Sequence, residues 1–526
     1  MKKWALILSI IMLLGVMLSA CSDAANSSVP SSQPTTGNEP SGAIVEAKEL
    51  DVLKIGVADL PKNMDPTLSV GNTTIRVHYN TFETLILADQ NDNYAQKPML
   101  AEEWKRIDDY TVEFTLRKGV KFHDGSELTT KDVKFSFDRL NKELDGVELA
   151  RSLMAVIKDV EIIDDYKFRV ISNVVDPILE DRLASSWGSW ILPADYINKV
   201  GDEEFSLHPV GTGPFKIVSF SPEKVVLERF DEYWGEKPNV KRVEYIFYPE
   251  TSARVTALIT GEVDIITQLP VDQVEVIKNS KGLNVESVNI TNMHMLRYYT
   301  DRGPLKDKKL RQALNLAIDR QLLSDTLWGG QAIVPKGHQY PEFGDMYFSD
   351  YAVAEYNLEK AKQLVEESSY NGEVITYELE SGQYTLGNEV AEVIVDMWSK
   401  IGVTAKVVFK DKADDDSMTR NWSNSMRFPD PSGGLWLLWG SVNGKPIKHW
   451  LDMPKNFQDA GEELISIIDP ARRKVLAREL MDIFVEEAPG TVLYYPLENW
   501  GVRDGIQWKP YASQTMDFRA GNFKVN

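Results

Sequence analysis

YTVEFTLRKGVKFHDG, at residues 110–125, is the stretch that decides the fold of this 526-residue chain. Its first half carries apolar side chains at alternate positions: Tyr110, Val112, Phe114 and Leu116. Successive side chains of a strand point to opposite faces, so the alternation predicts a strand with one buried face. Asp124-Gly125 then predicts a turn.

Helical patterns follow this strand and recur along the chain. Capping residues and apolar side chains three or four positions apart predict helices after Thr129 or Thr130, over 307–328, after Asn357, and from Val390 to Gly402. A further strand is predicted from Thr404 to Phe409. Alternating short strands and amphipathic helices indicate a mixed α/β protein, and its length predicts two or three domains.

The chain begins with the features of an export signal. Lys2 and Lys3 precede an apolar run that ends in Leu18-Ser19-Ala20-Cys21. The arrangement resembles a bacterial lipobox, which implies that residues 1–21 are a lipoprotein signal with Cys21 as the lipidated residue. Cys21 is also the only cysteine, so the chain forms no internal disulfide. Residues 22–45 are rich in Ser, Pro, Thr and Gly and predict a disordered tether.

The charge of the chain bears on its partners. Its net charge is −21, which predicts no basic surface and argues against nucleic acid as a partner. We find no G-x-S-x-G, H-E-x-x-H or P-loop motif that would indicate an enzyme. The six histidines show no metal-ligand spacing and are expected to be structural or on the surface: His78, His123, His208, His294, His338 and His449. We therefore expect no metal, no cofactor and no catalytic residue.

Several motifs in a fixed order resemble the bacterial extracellular solute-binding proteins of family 5, which bind peptides, opines or nickel for ABC importers. They are Asn63-Met64-Asp65-Pro66-Thr67, the segment from Leu100-Ala101-Glu102-Glu103-Trp104 to Gly125, Pro209-Val210-Gly211-Thr212-Gly213-Pro214-Phe215, Tyr233-Trp234-Gly235, and residues 311–320, which read RQALNLAIDR. The glycines of residues 211–214 predict a tight loop that makes close backbone contacts.

The resemblance implies a two-lobed periplasmic-binding-protein fold of type II with an extra domain. We expect the first lobe to comprise residues 46–92, 185–290 and 492–526. The extra domain would then be 93–184 and the second lobe 291–491. Strands from Val288 to Leu296 and from Thr491 to Tyr495 are the expected hinges.

The resemblance also implies the function. A monomeric lipoprotein, anchored to the cell membrane on its extracytoplasmic face through Cys21, would capture a small ligand between its lobes and deliver it to the permease and ATPase subunits of an ABC importer. No bond is broken in such a role. An exported hydrolase and a receptor subunit that only senses its ligand remain as the alternatives from other classes.

One position bears on the ligand. In peptide-binding members of the family, an acidic residue three positions before the acid of a D-P pair holds the peptide's amino group. Here Asp430-Pro431 is that pair, which places Arg427 where the acid would stand. An arginine fork suits a carboxylate or phosphate. We therefore expect an anionic opine-, sugar-phosphate- or oligosaccharide-like ligand, with a peptide as the alternative. Asp430 itself is expected to be a turn residue.

Aromatic residues complete the expected ligand site. Trp422, Trp436 and Trp439 lie near Arg427 in sequence and could stack on sugar rings or apolar groups. Trp187 and Trp190 are further candidates from the first lobe, and Tyr384 is another. Two alternatives stay open at this point: Arg427 could pair with an internal acid, and each tryptophan could belong to the core.

Overall fold

Strands and helices alternate along the chain, which confirms the predicted α/β class. The computed structural model describes residues 48–380, 384–410, 417–442, 445–446 and 453–526. Cys21, the tether and His449 lie outside the described residues. The strands are β1 (Leu50–Val57), β2 (Ile86–Asp89), β3 (Ala95–Pro98), β4 (Ala101–Asp108), β5 (Thr111–Leu116), β6 (Ile157–Ile162), β7 (Lys167–Ser172), β8 (Phe215–Phe220), β9 (Lys224–Arg229), β10 (Val240–Phe247), β11 (Ile265–Ile266), β12 (Leu283–Asn289), β13 (Asn292–Tyr298), β14 (Ile375–Leu379), β15 (Ala405–Phe409), β16 (Thr419–Ser425), β17 (Ser441–Val442), β18 (Lys445–Pro446), β19 (Gly490–Tyr494), β20 (Leu497–Arg503), β21 (Ile506–Trp508) and β22 (Phe523–Val525).

The helices connect and cover these strands. They are α1 (Asn72–Thr81), α2 (Thr130–Arg139), α3 (Glu148–Met154), α4 (Leu179–Leu183), α5 (Ala194–Val200), α6 (Asp202–Leu207), α7 (Thr251–Thr260), α8 (Val271–Lys278), α9 (Lys308–Leu316), α10 (Arg320–Leu327), α11 (Leu358–Glu367), α12 (Gly387–Ser399), α13 (Leu435–Trp439), α14 (Lys455–Leu464) and α15 (Pro470–Glu487). Over the described ranges, none is both long and apolar enough to cross a membrane.

Two large sheets form the bodies of two lobes. Within the described residues, the first-lobe sheet has the order β12–β20–β11–β1–β10–β9–β8, and the second-lobe sheet has the order β15–β14–β16–β13–β19. The chain passes from the first sheet to the second between Asn289 and Asn292, and it returns between Tyr494 and Leu497. The strand predicted from Val288 to Leu296 is therefore two strands in different sheets, separated by residues 290–291.

A third, antiparallel sheet contains the first part of the segment 110–125. Among the described strands it has the order β4–β5–β7–β6, and β5 is the strand predicted from the apolar alternation. Val112, Phe114 and Leu116 are fully buried on its inner face, and Phe114 stacks on Phe168 of β7 with ring centroids 5.2 Å apart. Helix α2 covers this face and starts with a capping box between Thr129 and Asp132, as the sequence predicts.

The prediction of one continuous helix over 307–328 is wrong. The structure has two helices, α9 and α10, and Asp319 separates them. The Asp319 side chain accepts a hydrogen bond from the Leu322 amide at 2.9 Å, which starts a new helix rather than continuing the old one. Asn357 caps α11 in the same way through the Lys360 amide, as predicted.

The family motifs mostly hold the structure together. Asp65 lies in a fully buried ion pair with Arg139 of α2, and Thr67 donates to the same carboxylate. The glycine loop of residues 211–214 packs against the end of α1, where a Cβ on Gly211 would lie 2.1 Å from the Thr81 carbonyl oxygen. This contact accounts for the close approach predicted from the glycines.

Two of the motifs meet at one buried carboxylate. Thr212 donates to Glu83 at 3.0 Å, and Tyr233 and Trp234 of the second motif donate to it at 2.7 and 2.8 Å. Burial nevertheless raises the pKa of Glu83. These contacts join segments that lie about 130 to 150 residues apart in the chain and so stabilise the tertiary fold.

Candidate functional site

A cavity of about 960 Å³ lies between the two lobes. The first lobe contributes residues 58–59, 70–73, 76, 249–250, 268–269 and 497–499 to its wall, and the second lobe contributes side chains of β13 and β16 and Arg427. The volume is at the upper end of the range for small-ligand pockets. A ligand there would contact both lobes.

Strands β13 and β16 supply polar side chains to the cavity. The two strands pair antiparallel, with His294 opposite Ser423 and Arg297 opposite Arg420. These four residues line the cavity, whereas Met293 and Met295 of β13 are buried in the second-lobe core. His294 and Arg297 lie three positions apart and would face opposite sides of a regular strand, but the register of β13 against β19 shifts between His294 and Met295, so simple alternation does not account for both side chains at the cavity.

Arg427 projects into this cavity from the loop after β16. Its guanidinium lies 3.8 Å from the ring centroid of Trp187, which belongs to the buried cluster of the sheet β4–β5–β7–β6. Its Nη1 donates to the Ser425 carbonyl at 3.1 Å, and its Nε is buried with no hydrogen-bond partner among the described residues. Burial lowers the pKa of Arg427 to about 10, which leaves it charged at neutral pH.

No carboxylate pairs with Arg427 in the part of the chain that the structure describes. The open alternative of an internal acid is therefore not what these residues show. Other cavity arginines do have partners: Arg76 pairs with Glu498 at 3.0 Å, and Arg420 lies 3.9 Å from Glu378. Arg297 donates to the Tyr299 hydroxyl at 2.5 Å and lies over the ring of Trp422.

Acidic side chains also line the cavity. Asp59, Glu250 and Glu380 are exposed and form no ion pair within the described ranges. Within the described residues, a cation without an ion-pair partner and acids without one thus line the same cavity, which suits a ligand that carries both charges.

The structure brings four of the predicted site residues to the cavity: Arg427, Trp187, Trp422 and Tyr384. The Tyr384 hydroxyl donates to Ser423 at 3.3 Å, and its ring lies 4.8 Å from His294. Trp422 packs edge-on against Trp439 at 5.7 Å. These four remain our candidate ligand contacts.

Trp436, Trp439 and Trp190 do not line this cavity. Trp436 packs in the second-lobe core, 6.0 Å from the ring of Phe457, and Trp439 is fully buried 5.1 Å from Phe484. Trp190 packs 6.3 Å from Phe82 in the first lobe. We leave these three side chains out of the site.

Several lining residues were missed by the sequence analysis. Asn292, His294, Arg297 and Glu498 lie on the strands beside the two lobe crossings. Their signal was available, because a polar side chain on a strand next to an interlobe crossing is placed at the cleft. Burial lowers the pKa of His294 to about 3, so this histidine is neutral.

Asp430 lies in the core rather than at the cavity. Its carboxylate caps the short helix Pro431–Gly433 through the Ser432 amide at 2.9 Å and pairs with Arg473 at 2.6 Å. This agrees with a role in the turn.

No three His, Cys, Asp or Glu side chains among the described residues come together to hold a metal ion.

Comparison with known proteins places this architecture in context. Residues 95–446 of this chain match the sequence model of a protein family, the bacterial extracellular solute-binding proteins, family 5 Middle. The chain is 26% identical to a protein of Escherichia coli K12 named dipeptide-binding protein, over 86% of this chain and 90% of that one.

Two solved structures share the fold. A periplasmic binding protein from Helicobacter pylori, DppA in complex with the peptide STSA, superposes with a TM-score of 0.81 at 24% identity, covering 91% of this chain and 98% of that one. AgaA from A. tumefaciens, in complex with agropinic acid, superposes with a TM-score of 0.79 at 23% identity, covering 90% and 99%.

Proposed function

This chain belongs to family 5 of the bacterial extracellular solute-binding proteins, the substrate-binding subunits of ABC importers, and we propose that its own ligand is a peptide. The observation that carries the proposal is the guanidinium of Arg427, which pairs with no carboxylate among the described residues and lines the same cavity as the exposed acids Asp59, Glu250 and Glu380. A peptide in its zwitterionic form carries one charge of each sign. The cavity offers a counter-charge for both.

The ligand's anionic end is assigned to Arg427. A free α-carboxylate or an acidic side chain can accept two hydrogen bonds from a guanidinium fork. The ammonium end would then lie toward Asp59, Glu250 or Glu380, which are exposed on the cavity wall. A peptide held this way would have its carboxylate at the position where peptide-binding relatives hold the amino group.

This proposal revises the ligand expected from the sequence. Arg427 alone favoured an anionic opine or sugar phosphate, with a peptide second. The exposed acids that line the same cavity support the peptide, as do the peptide-related names of the E. coli relative and of the H. pylori complex. An opine-like acid is kept as the second candidate, because Arg427 suits it and AgaA holds agropinic acid.

The mechanism of capture is lobe closure. Only a closed cleft lets one ligand contact both lobes, so binding favours the closed state and the importer can distinguish it by shape. We place the hinges at residues 290–291 and 495–496, where the chain crosses between the sheets, and keep the lobe and extra-domain boundaries as proposed from the sequence. No catalytic step is involved.

The protein would act as a monomer tethered to the extracytoplasmic face of the membrane through lipidated Cys21.

Ligand identification tests the proposal. The protein is purified under native conditions, and small molecules released by unfolding are identified by mass spectrometry. Recovery of short peptides, and their intact rebinding to refolded protein, would support it. Recovery of an opine or sugar phosphate would favour the second candidate. Cleavage of an added peptide in proportion to protein would contradict a pure binding role and favour the hydrolase alternative.

A further inference from the structure

Arg427 follows β16 of the second lobe, where its Nη1 donates to the Ser425 carbonyl, and it is also contacted by Ser185 and Trp187 from outside that lobe. The Ser185 hydroxyl donates to the Arg427 carbonyl oxygen at 2.7 Å, and the Trp187 ring lies under the guanidinium. The Trp187 amide in turn donates to the Ser185 hydroxyl at 3.4 Å. One short loop thus fixes both the backbone and the side chain of the arginine.

The next residue strengthens this contact. Phe428 is buried in the apolar cluster of the sheet β4–β5–β7–β6, and the guanidinium of Arg182 lies 5.0 Å from the ring centroid of Phe428. Arg182 is itself paired with Asp176 at 2.8 Å. Residues 427 and 428 of the second lobe are therefore docked on residues 182–187 as a unit. When the lobes separate, all of these contacts must break or the docked segment must move with the first lobe.

From this arrangement, and resting on the proposed function, we infer that Ser185 and Trp187 are positioning residues for Arg427. They hold its guanidinium toward the ligand only while residues 427–428 are docked. The N–H groups of a guanidinium lie in its own plane and point away from its faces. A guanidinium that stacks on an aromatic ring through one face can therefore still donate to an anion through its edge. Recognition of the ligand's carboxylate is thus coupled to closure through one loop.

The chain offers a matched control. Trp187 and Trp190 lie three residues apart, and each is only 4% exposed, but only Trp187 contacts Arg427. Trp187→Leu and Trp190→Leu therefore remove the same buried ring, with similar cost to the core. A difference between them in anion recognition reports the stacking and not the loss of packing.

The first measurement needs no ligand. In protein labelled with ¹⁵N at arginine Nε, the Arg427 signal is assigned by its loss in Arg427→Lys. We expect the Trp187 ring current to displace this signal upfield, and Trp187→Leu, but not Trp190→Leu, to move it back. Ser185→Ala should broaden or shift it. An Arg427 signal that is unmoved by Trp187→Leu would overturn the inference, whatever the ligand proves to be.

The second measurement uses one equimolar tripeptide library prepared twice, as free acids and as C-terminal amides. Thermal stabilisation by each library is measured for wild type and both tryptophan variants. Wild type and Trp190→Leu should prefer the acids, and Trp187→Leu should lose most of that preference. If Trp187→Leu keeps the preference, the positioning role is wrong. If neither library stabilises wild type, the peptide proposal fails while the arginine signal still decides the positioning role.

Discussion

Arg76 of α1 and Glu498 of β20 form an ion pair of 3.0 Å in the cavity wall, with both side chains at least 94% buried. The pair satisfies one cavity arginine internally, whereas Arg427 has no such acid among the described residues. Charge available to a ligand is thus set by which arginines the fold has already neutralised, rather than by how many line the cavity.

The Arg76–Glu498 pair leads to a stability prediction. Arg76→Met leaves a buried carboxylate without its cation, and we expect a loss of about 3–5 kcal/mol in the free energy of unfolding. The double variant Arg76→Met/Glu498→Leu should recover a large part of this loss, since neither charge is then buried alone. Urea denaturation followed by circular dichroism measures both. Equal destabilisation of the single and double variants would argue against the pair.

A second prediction concerns the loop at residues 211–214. Gly211→Ala places a methyl group 2.1 Å from the Thr81 carbonyl oxygen. This neighbour is backbone and cannot move aside as the end of a flexible side chain could. We expect a cost of about 1–3 kcal/mol, seen as a lower melting temperature. Gly521→Ala is the control, because nothing lies within 4 Å of its added Cβ. Similar melting temperatures for the two variants would contradict the close contact.

A third prediction concerns pH and His123 of the segment 110–125. Its Nε2 donates to the Gly213 carbonyl at 2.9 Å and its Nδ1 accepts from the Gly211 amide at 3.2 Å, so the neutral ring is fully bonded. Burial lowers its pKa to about 4. Between these two pKa values, His123 is protonated in the unfolded chain but neutral in the folded protein. The free energy of unfolding therefore falls as the pH drops from about 6.5 toward 4.

The slope from His123 should be about 1.4 kcal/mol per pH unit within that window. Denaturation at several pH values measures it for wild type, His123→Gln and a control, His208→Gln, whose ring is exposed. The slope should decrease more in His123→Gln than in His208→Gln. An unchanged slope in both variants would show that His123 does not titrate differently on folding.

A fourth prediction concerns anchoring. Cys21→Ser removes the thiol that would be acylated, so the protein should move from the membrane fraction to the soluble fraction. Two or more acyl chains are needed for stable anchoring, and loss of the cysteine removes them together. Cell fractionation and metabolic labelling with palmitate check this. A variant that stays in the membrane fraction to the same extent would rule out the lipobox.

Local signals predicted local structure well. The alternation at Val112, Phe114 and Leu116 and the cap at Thr129 depend on neighbours in sequence, and both were confirmed, whereas Tyr110 precedes β5 and its side chain is exposed. The break at Asp319 was missed because an aspartate within an apolar helical pattern is compatible with either a surface position or a new N-cap. Only packing of the two helices decides between them.

The site was predictable only in part. Arg427 and Trp187 lie 240 positions apart, and nothing in either segment indicates their stacking. In the segment Leu435–Trp439, which is apolar on every side, sequence alone does not separate a tryptophan of the cavity wall from one of the core. Packing of α13 against α14 and α15 places Trp436 and Trp439 in the core.

The central claim is that Arg427 holds the ligand's carboxylate, and calorimetry tests it most directly. One tripeptide that binds wild type is measured as the free acid and as the C-terminal amide, against wild type, Arg427→Ala and Arg427→Asp. A hydrogen bond to a charged group is worth about 1.5–3 kcal/mol, so wild type should bind the acid roughly ten- to a hundred-fold more tightly than the amide. Arg427→Ala should bind both alike, and Arg427→Asp should bind the acid more weakly still. Equal binding of acid and amide by wild type, or an undiminished preference in Arg427→Ala, would contradict the claim.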